Sequence, residues 1–288
     1  MNTILEVQGL KKEFKTFSLQ DVSFSLQEGC ITGFIGVNGA GKTTTIKSIL
    51  GLVLKDAGSI KLFGKEISKN ERELKNRIGL VLDEGYFYEE MTMREMKSVI
   101  APAYSNWDEI VFKRNLERFR LQPKQKIATL SKGMRMKFAI ALALSHHADL
   151  LIMDEPTSGL DPLVRSELMN ILLEFMKDDG KSVLFSSHIT SDLDKVADVV
   201  ILIDKGRIVL SEEKDILLDT HGLVKGDKRV LNDHTRNLFL TLRETEYGFE
   251  GLTHNKADVR QRMKGVLIER PTIEDIMLGY VGGDEDAL

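Results

Sequence analysis

The stretch Gly36–Thr44, GVNGAGKTT, decides the fold. It follows an apolar run rich in β-branched and aromatic residues, CITGFIG, and it leads into KTTTIKSILGLV, whose apolar residues recur at helical spacing. A buried strand before the glycines and a helix after them are the context in which the pattern G-x-x-x-x-G-K-[ST] binds phosphate. Gly36, Gly39 and Gly41 allow backbone conformations that a Cβ would forbid, so the N–H groups of the loop can turn inward around an anion.

Two side chains complete the expected phosphate site. Lys42 is expected to reach the β- and γ-phosphates, and the Thr43 hydroxyl is expected to ligate Mg²⁺. The partial positive charge of the helix N-terminus adds to the attraction. The alternative is a glycine-rich turn that binds nothing, which the flanking strand and helix disfavour. The stretch predicts a nucleoside triphosphatase but does not specify its kind.

A second pattern, DLLIMDEPTSGLDP, places two carboxylates at the end of an apolar strand. Asp154 is expected to hold Mg²⁺ through water, since nucleoside triphosphatases place an acidic residue at such a strand tip. Glu155, expected on the other side of the strand, is the candidate to polarise the attacking water. The alternative is a strand that ends in solvated carboxylates. His188 ends the next predicted strand, SVLFSSH, where it could bind the γ-phosphate or be an ordinary surface histidine.

The stretch TLSKGMRMKFAIALAL predicts another helix start. Ser131 supplies a hydroxyl and Gly133 permits close approach, so this helix end is a second candidate anion site. A second phosphate site is redundant within one monomer, but it becomes useful if it closes on the nucleotide of a partner subunit. The alternative is a plain helix cap.

Composition restricts the class of protein. The chain has 288 residues, of which 42% are hydrophobic and 29% charged, with a net charge of −4, so nucleic acid is not an expected partner. The single cysteine, Cys30, cannot form an internal disulfide, and a cytoplasmic location is expected. We expect no signal peptide and no segment near the ~20 apolar residues of a membrane span. If the protein serves a membrane, the membrane part is expected to be another chain.

The order of the elements predicts an α/β fold in two units. The opening runs TILEVQGLKKEF and FSLQDVSFSLQEG alternate apolar and polar residues, which is typical of antiparallel strands. Strands then alternate with helices, which predicts a mostly parallel sheet covered on both faces. Beyond Ser211 the pattern changes to short strand-like runs closed by the helix TIEDIMLGYV. We therefore predict a nucleotide-binding domain over residues 1–210, with a helical subdomain at about 90–145, and a C-terminal accessory or regulatory region over 211–288.

Four motifs together identify a family resemblance over about residues 3–210. GVNGAGKTT, LSKGM, LLIMDEPTSGLDP and SSH occur in the order found in the ATP-binding subunits of ABC transporters. The resemblance implies a P-loop NTPase fold with a mostly parallel central sheet, an antiparallel β subdomain and a helical signature subdomain. It also implies ATP and Mg²⁺ as ligands.

The resemblance assigns roles to individual residues. It implies that Glu155, His188 and Lys42 are catalytic, and that Thr43 and Asp154 bind Mg²⁺. It implies that the following residues bind nucleotide: Asn38, Gly39, Ala40, Gly41, Lys42, Thr43 and Thr44 of the Walker A loop, Ser131 and Gly133 of the signature motif, and Asp161 of the D-loop. The signature residues would contact ATP across a head-to-tail dimer. Phe14 takes the place of the aromatic residue that stacks on adenine, and Phe17 is a nearby competitor.

Two departures from the family pattern stand out. In the signature, Lys132 replaces a glycine and Met134 a glutamine, which adds a cation near the partner's phosphates. Asp83 stands where the family has the Q-loop glutamine, and it could still approach Mg²⁺ or water. The aromatic run Tyr86–Tyr88 follows, in the 83–92 region that lines the groove for the membrane subunit's coupling helix. Exposed aromatics suit a partner interface, although one or two of them could pack inside.

The resemblance implies an ATPase that powers a separate integral membrane permease from the inner face of the cell membrane, as a homodimer or as a heterodimer with a paralogue. The chain is most similar to subunits that export drugs, antimicrobial peptides or toxin peptides. One rival is an ABC ATPase acting on nucleic acid or ribosomes, which the single cassette and the lack of sustained heptads disfavour. Another is a soluble regulatory or sensor module that binds ATP without direct transport. Asp83 and the accessory region favour that module, whereas Glu155 and His188 favour turnover.

Overall fold

The computed structural model of the chain describes residues 2–83 and 86–282, without the side chains of residues 68 and 69. The strands are β1 Thr3–Glu13, β2 Ser18–Gln27, β3 Ile31–Ile35, β4 Ala57–Leu62, β5 Lys65–Glu66, β6 Ile78–Leu82, β7 Leu150–Asp154, β8 Ser182–Ser187, β9 Val199–Asp204, β10 Arg207–Glu213, β11 Gly222–Gly226, β12 Thr241–Thr245, β13 Gly248–Thr253 and β14 Leu267–Glu269. The α-helices are α1 Lys42–Ile49, α2 Ile67–Lys75, α3 Met93–Ile100, α4 Glu109–Arg118, α5 Lys132–Leu144, α6 Pro162–Phe175, α7 Thr190–Val196, α8 Lys214–Thr220, α9 Asp233–Arg236, α10 Lys256–Arg262 and α11 Ile273–Val281.

The central sheet has the order β10-β9-β3-β8-β7-β6. Its pairs are parallel except for β10, which lies antiparallel to β9 at the edge. The predicted mostly parallel sheet is confirmed. Its strands are short apolar runs that are buried on both faces, as parallel sheets require.

Alternate residues of the central strands enter two separate cores. On one face, side chains such as Met153 and Phe185 pack with helices α3 to α7. On the other face, Ile152 and Leu184 pack with α1 and with the antiparallel sheet β2-β1-β4-β5. The predicted antiparallel β subdomain is therefore confirmed. As a result, the helix after the phosphate loop and the helix after Ser131 lie on opposite faces of one sheet.

The C-terminal part forms an antiparallel sheet of its own, in the order β12-β13-β11-β14. Helix α11 packs on α7, and its side chains Ile276 and Met277 join the core shared by α5 and α6. Strand β10 crosses the predicted boundary between residues 210 and 211, because its pairing with β9 continues to Glu213 opposite Val199. The division into two domains stays a prediction. Within the described residues, no helix combines the length and the apolar character that a bilayer span needs.

Candidate nucleotide-binding site

The candidate site lies at the carboxyl ends of β3, β7 and β8, where ligands bind in open α/β sheets. The phosphate loop runs from β3 into α1. A Cβ on Gly36 would lie 2.3 Å from the carbonyl oxygen of Ile203, and one on Gly41 would lie 2.9 Å from both Phe17 and Leu19. Gly41 also has φ 117°, which disfavours any residue with a Cβ. The two glycines let the loop lie directly against its supporting strand and the β subdomain.

Lys42 occupies the inside of this loop. Its side chain is buried, and Nζ donates hydrogen bonds to the carbonyl oxygens of Gly36 at 2.7 Å and Val37 at 3.3 Å. Nζ also lies 3.1 Å from Glu155 Oε1. At the tip of the loop Asn38 is exposed. The structure thus holds an ammonium group inside the loop, beside the carbonyl oxygens of Gly36 and Val37, and a cation in such a loop fits a bound phosphate.

Glu155 joins Lys42 to His188. Its Oε2 lies 2.7 Å from His188 Nδ1 and accepts a longer hydrogen bond, 3.3 Å, from the His188 backbone N–H. Strand alternation was expected to turn Glu155 away from Asp154, but β7 ends at Asp154 and Glu155 has φ 50°. This left-handed conformation, held by its backbone N–H bond to Ser186, brings the carboxylate to Lys42. The expectation of an opposite face is corrected for this reason.

Asp154 is buried at the end of β7. Its Oδ1 accepts a hydrogen bond of 2.7 Å from Ser186 Oγ. Burial raises the pKa of the Asp154 carboxyl, and hydrogen bonds from Ser186 and Thr43 offset part of that increase. Ser186 was missed by the sequence reasoning, which considered only His188 in the run SSH. Its position two residues before His188, on a strand adjacent to β7, is the signal that could have identified it.

The residues at this end of the sheet fit a divalent cation. Thr43 is exposed and shares a hydrogen bond with Asp154, so a hydroxyl and a carboxylate oxygen lie side by side. Hard oxygen ligands of this kind suit Mg²⁺, which takes one or two protein ligands and completes its shell with phosphates and water. Among the described residues, no group of three or more His, Cys, Asp or Glu forms a metal cluster. One hydroxyl and one carboxylate suit a metal that arrives with a nucleotide, because the phosphates supply further oxygen ligands.

Ser131, Gly133 and Asp161 come together at the starts of α5 and α6. Ser131 caps α5, its Oγ accepting from the Met134 N–H at 3.2 Å. Asp161 caps α6 and accepts from the Val164 N–H at 3.1 Å, and a Cβ on Gly133 would lie 3.4 Å from the Val164 side chain. A plain helix cap is thus observed at Ser131. Whether these residues also contact a partner's nucleotide stays a prediction.

The two candidates for adenine stacking differ in their surroundings. Phe14 is 44% exposed, with Lys12 Nζ 5.6 Å from its ring centre. Phe17 is partly buried, and its ring edge contacts the phosphate loop at Gly41. Phe14 therefore offers a ring face to solvent, while Phe17 supports the loop. The assignment of Phe14 stays a prediction.

Asp83 follows the end of β6, and its carboxylate Oδ1 lies 2.7 Å from Lys132 Nζ. The two departures from the family pattern are therefore paired within one chain, and the role of Asp83 at Mg²⁺ stays a prediction. In the following run Tyr86 is 60% and Tyr88 64% exposed. Phe87 packs inside, with its ring centre 5.1 Å from that of Phe138, so the alternative of inward packing holds for this residue.

Comparison with known proteins agrees with this geometry. The ABC transporter family model matches residues 19–158. The bacitracin transport ATP-binding protein BcrA of Bacillus licheniformis is 35% identical over 73% of this chain and 69% of its own length. The lantibiotic transport ATP-binding protein SrtF of Streptococcus pyogenes is 35% identical over 74% of this chain and 92% of its own.

A solved structure shows the same relationship. An ATP-binding subunit of an ABC transporter superposes with a TM-score of 0.68 at 30% identity, over 75% of this chain and 92% of that one. The matched parts contain the phosphate loop, and the fold carries Asp154 and Glu155 beside it. The chain therefore belongs to the ATP-binding subunits of ABC transporters, a family that binds and hydrolyses ATP.

Proposed function

We propose that two copies of this chain, or one copy and a paralogue, bind Mg·ATP between the phosphate loop of one subunit and the α5 N-terminus of the other. Hydrolysis of this ATP drives a separate integral membrane permease. The observation that carries the proposal is the series of contacts from Lys42 to Glu155 to His188. These contacts hold an ammonium, a carboxylate and an imidazole in one cluster at the ends of adjacent strands, which supports their roles as phosphate-binding cation, base and positioning histidine.

The contacts support a separate task for each group. Lys42 neutralises the oxygens of the transferring phosphoryl group. His188 holds Oε2 of Glu155 through both its ring and its backbone N–H, which leaves Oε1, the oxygen now facing Lys42, to orient the attacking water. Asp154 and Thr43 would hold Mg²⁺, which supplies positive charge at the phosphate oxygens when it is bound.

The opposite placement of α1 and α5 supports a dimer. Their N-terminal ends belong to different faces of the central sheet, with α1 in one core and α5 in the other. One chain therefore offers two anion-binding helix ends that serve separate ligands. A second copy in head-to-tail orientation brings each α5 start, with Ser131 and Gly133, to the other copy's phosphate loop.

The aromatic run after Asp83 supports a permease interface on the same subunit. Tyr86 and Tyr88 are both exposed, and Tyr86 lines a recess of ≈ 220 Å³. The recess is lined by Leu80, Leu82, Phe87, Ile100, Tyr104 and neighbouring alanines. An apolar side chain of a permease segment suits this recess, with Tyr86 in its wall and Tyr88 exposed two residues further along the chain. The chain would then lie on the inner face of the membrane through its partner.

A charged substitution tests this interface. Tyr88→Asp is expected to reduce retention of the chain on membranes that contain its permease, while ATP turnover of the isolated chain stays within about twofold. Tyr247→Asp is the matched control, because Tyr247 is 95% exposed but lies on the accessory region. Equal retention of both variants would contradict the assignment.

The names of the relatives favour transport over a regulatory module. They describe bacitracin and lantibiotic transport, so we propose that the permease partner exports a drug or antimicrobial peptide. Cells that express the chain with its permease are expected to tolerate higher concentrations of such a compound, and a Lys42→Ala variant is expected to remove the tolerance. Equal tolerance with both forms would refute a powered export.

The ATPase itself is tested with Glu155→Gln. Wild type is expected to hydrolyse Mg·ATP, whereas the variant loses turnover and accumulates as an ATP-bound dimer, because the γ-phosphate that joins the subunits is retained. Light scattering gives the mass and phosphate release gives the rate. A variant that turns over at the wild-type rate would exclude Glu155 as the group that orients water.

A further inference from the structure

The N-terminus of α5 carries cations at the end where a helix favours anions. Lys132 is its first residue and Arg135 lies in its first turn, where no acidic residue is present. The helix dipole places partial positive charge at the same end, so each cation there raises the local free energy unless an anion is close. This helix end therefore requires negative charge from elsewhere in the molecule.

Both compensating carboxylates come from the segment that follows β6. Asp83 Oδ1 lies 2.7 Å from Lys132 Nζ, and Glu89 Oε1 lies 2.8 Å from an Arg135 guanidinium nitrogen. Glu89 is fixed further by a backbone hydrogen bond of 3.0 Å from the Ala128 N–H to the Glu89 carbonyl oxygen. The α5 N-terminus is thus neutralised within its own chain by the segment we assign to the permease.

The contact between Lys132 and Asp83 is suited to exchange. The two side chains are 42% and 37% exposed, although the contacting Oδ1 atom of Asp83 is itself buried, and the ion pair lacks a well-aligned hydrogen bond. Partly exposed pairs of this kind contribute little to stability. The Lys132 ammonium also lies 3.4 Å from the position of a Cβ on Gly159, so it is folded towards its own D-loop. A polyphosphate that reaches this helix end carries more charge than one carboxylate and competes for the same ammonium.

We propose that Lys132 gives up its ion pair with Asp83 of its own chain when it binds the terminal phosphate of ATP held by the second copy. The ion pair between Asp83 and Lys132 therefore opposes closure of the dimer, and we call it the lock. The proposal rests on the proposed function, since it requires the head-to-tail dimer. Asp83 acts through Lys132 and is a positioning residue. The coupling between the two events is reciprocal. A partner that draws Asp83 away from Lys132 favours closure of the dimer, and closure in turn releases the segment around Tyr86 and Tyr88.

The test uses the Glu155→Gln variant as parent, with the concentration of Mg·ATP that gives half-maximal dimer as the measured quantity. Adding Asp83→Asn removes the lock and is expected to lower this concentration about two- to fivefold. Adding Lys132→Gln removes the ammonium and is expected to raise it roughly tenfold. Asp83→Asn in the presence of Lys132→Gln is expected to cause no further shift, because Asp83 then has no ammonium to hold.

A matched control is Glu174→Gln, which breaks a similarly exposed ion pair between Arg118 and Glu174, 2.6 Å long, between α4 and α6. It is expected to leave the midpoint unchanged. A full Asp83→Asn shift in the Lys132→Gln background would overturn the lock and assign Asp83 an independent role. A parent that dimerises while Asp83→Asn causes no shift refutes only the lock. A parent that never dimerises refutes the proposed sandwich together with the lock.

Hydrogen exchange provides a second readout in the nucleotide-free monomer. The Ala128 and Ile127 amides donate to the carbonyl oxygens of Glu89 and Met91, so they report whether this segment stays on the α5 start. Asp83→Asn and Lys132→Gln are each expected to speed the exchange of these two amides about two- to fivefold, the weakening expected for loss of one exposed ion pair. Unchanged exchange in both variants would show that the pair does not hold the segment, and would overturn the lock.

Discussion

Replacement of Ser186 by alanine removes one hydroxyl that serves both carboxylate residues of the site. Ser186 is fully buried; its Oγ donates to Asp154 Oδ1 at 2.7 Å and accepts from the Glu155 N–H at 3.0 Å. The Glu155 N–H retains a second acceptor, the Ser186 carbonyl oxygen at 3.2 Å. The loss therefore falls mainly on Asp154, whose buried carboxylate loses a hydrogen bond.

The magnitude follows from this geometry. A hydrogen bond to a charged group contributes about 1.5–3 kcal/mol, so the free energy of unfolding is expected to fall by about that amount at pH 7. The same bond lowers the pKa of Asp154, so its removal leaves the pKa higher still. If the full loss of orientation appears in the transition state, kcat falls roughly 10- to 150-fold.

Urea unfolding without nucleotide measures the first effect, and steady-state phosphate release measures the second. Ser187→Ala is the matched control, because Ser187 is equally buried but its Oγ, among the described residues, bonds only to the backbone of Ile189. That variant is expected to lose about 1 kcal/mol of stability and to keep kcat within about threefold. If both alanine variants retain the same kcat, Ser186 does not position the carboxylates and the reasoning is refuted.

Three further outcomes are expected. Burial raises the pKa of Asp154 above its ordinary value of 3.8, so its ionised form opposes folding at neutral pH. Asp154→Asn is expected to raise the melting temperature at pH 7, measured by calorimetry in EDTA. This gain is expected to fade as the pH falls through the raised pKa of Asp154 towards 3.8, and a lower melting temperature of the variant at pH 7 would contradict the prediction. Phe14→Ala is expected to weaken ATP binding at least fivefold in fluorescence titration, with little change in stability. Phe17→Ala is expected to lower the free energy of unfolding by about 1–2 kcal/mol. A binding defect confined to Phe17→Ala would make Phe17, rather than Phe14, the residue that stacks on adenine. Gly279→Val is expected to lower the free energy of unfolding in urea by about 1–3 kcal/mol, because a Cβ at this position on α11 would lie 2.2 Å from the Leu252 side chain. An unchanged unfolding midpoint would show that α11 and β13 adapt to the larger side chain.

Local patterns predicted most of the central architecture. The glycine spacing of Gly36–Thr44 and the apolar run before Asp154 required a particular strand–loop–helix order, and the mostly parallel sheet follows from that order. The antiparallel strands at the start of the chain were likewise predicted, since the alternation of apolar and polar residues determines which side chains enter the core. Each of these signals lies within about a dozen consecutive residues.

The features that the sequence did not predict depend on distant contacts or on backbone angles. The pairing of Asp83 with Lys132 joins the residue after β6 to the first residue of α5, and neither side chain alone indicates its partner. The contact of Ser186 with Asp154 depends on the adjacency of β8 and β7. Glu155 does not follow the side-chain alternation of a strand because its φ is positive. That conformation is rare for glutamate, and local propensity does not predict it.

The measurement that tests the central claim most directly is complementation between two inactive variants. Lys42→Ala removes the ammonium of the phosphate loop, and Ser131→Arg blocks the α5 start; each is first checked for native circular dichroism. Neither variant alone is expected to hydrolyse ATP. When they are mixed in equal amounts, about half of the dimers are mixed and each contains one intact composite site, so up to roughly a quarter of the wild-type activity is expected to return. If no activity returns although mixed dimers form, or if Ser131→Arg alone hydrolyses ATP at the wild-type rate, then the catalytic site does not lie between two subunits and the account is contradicted.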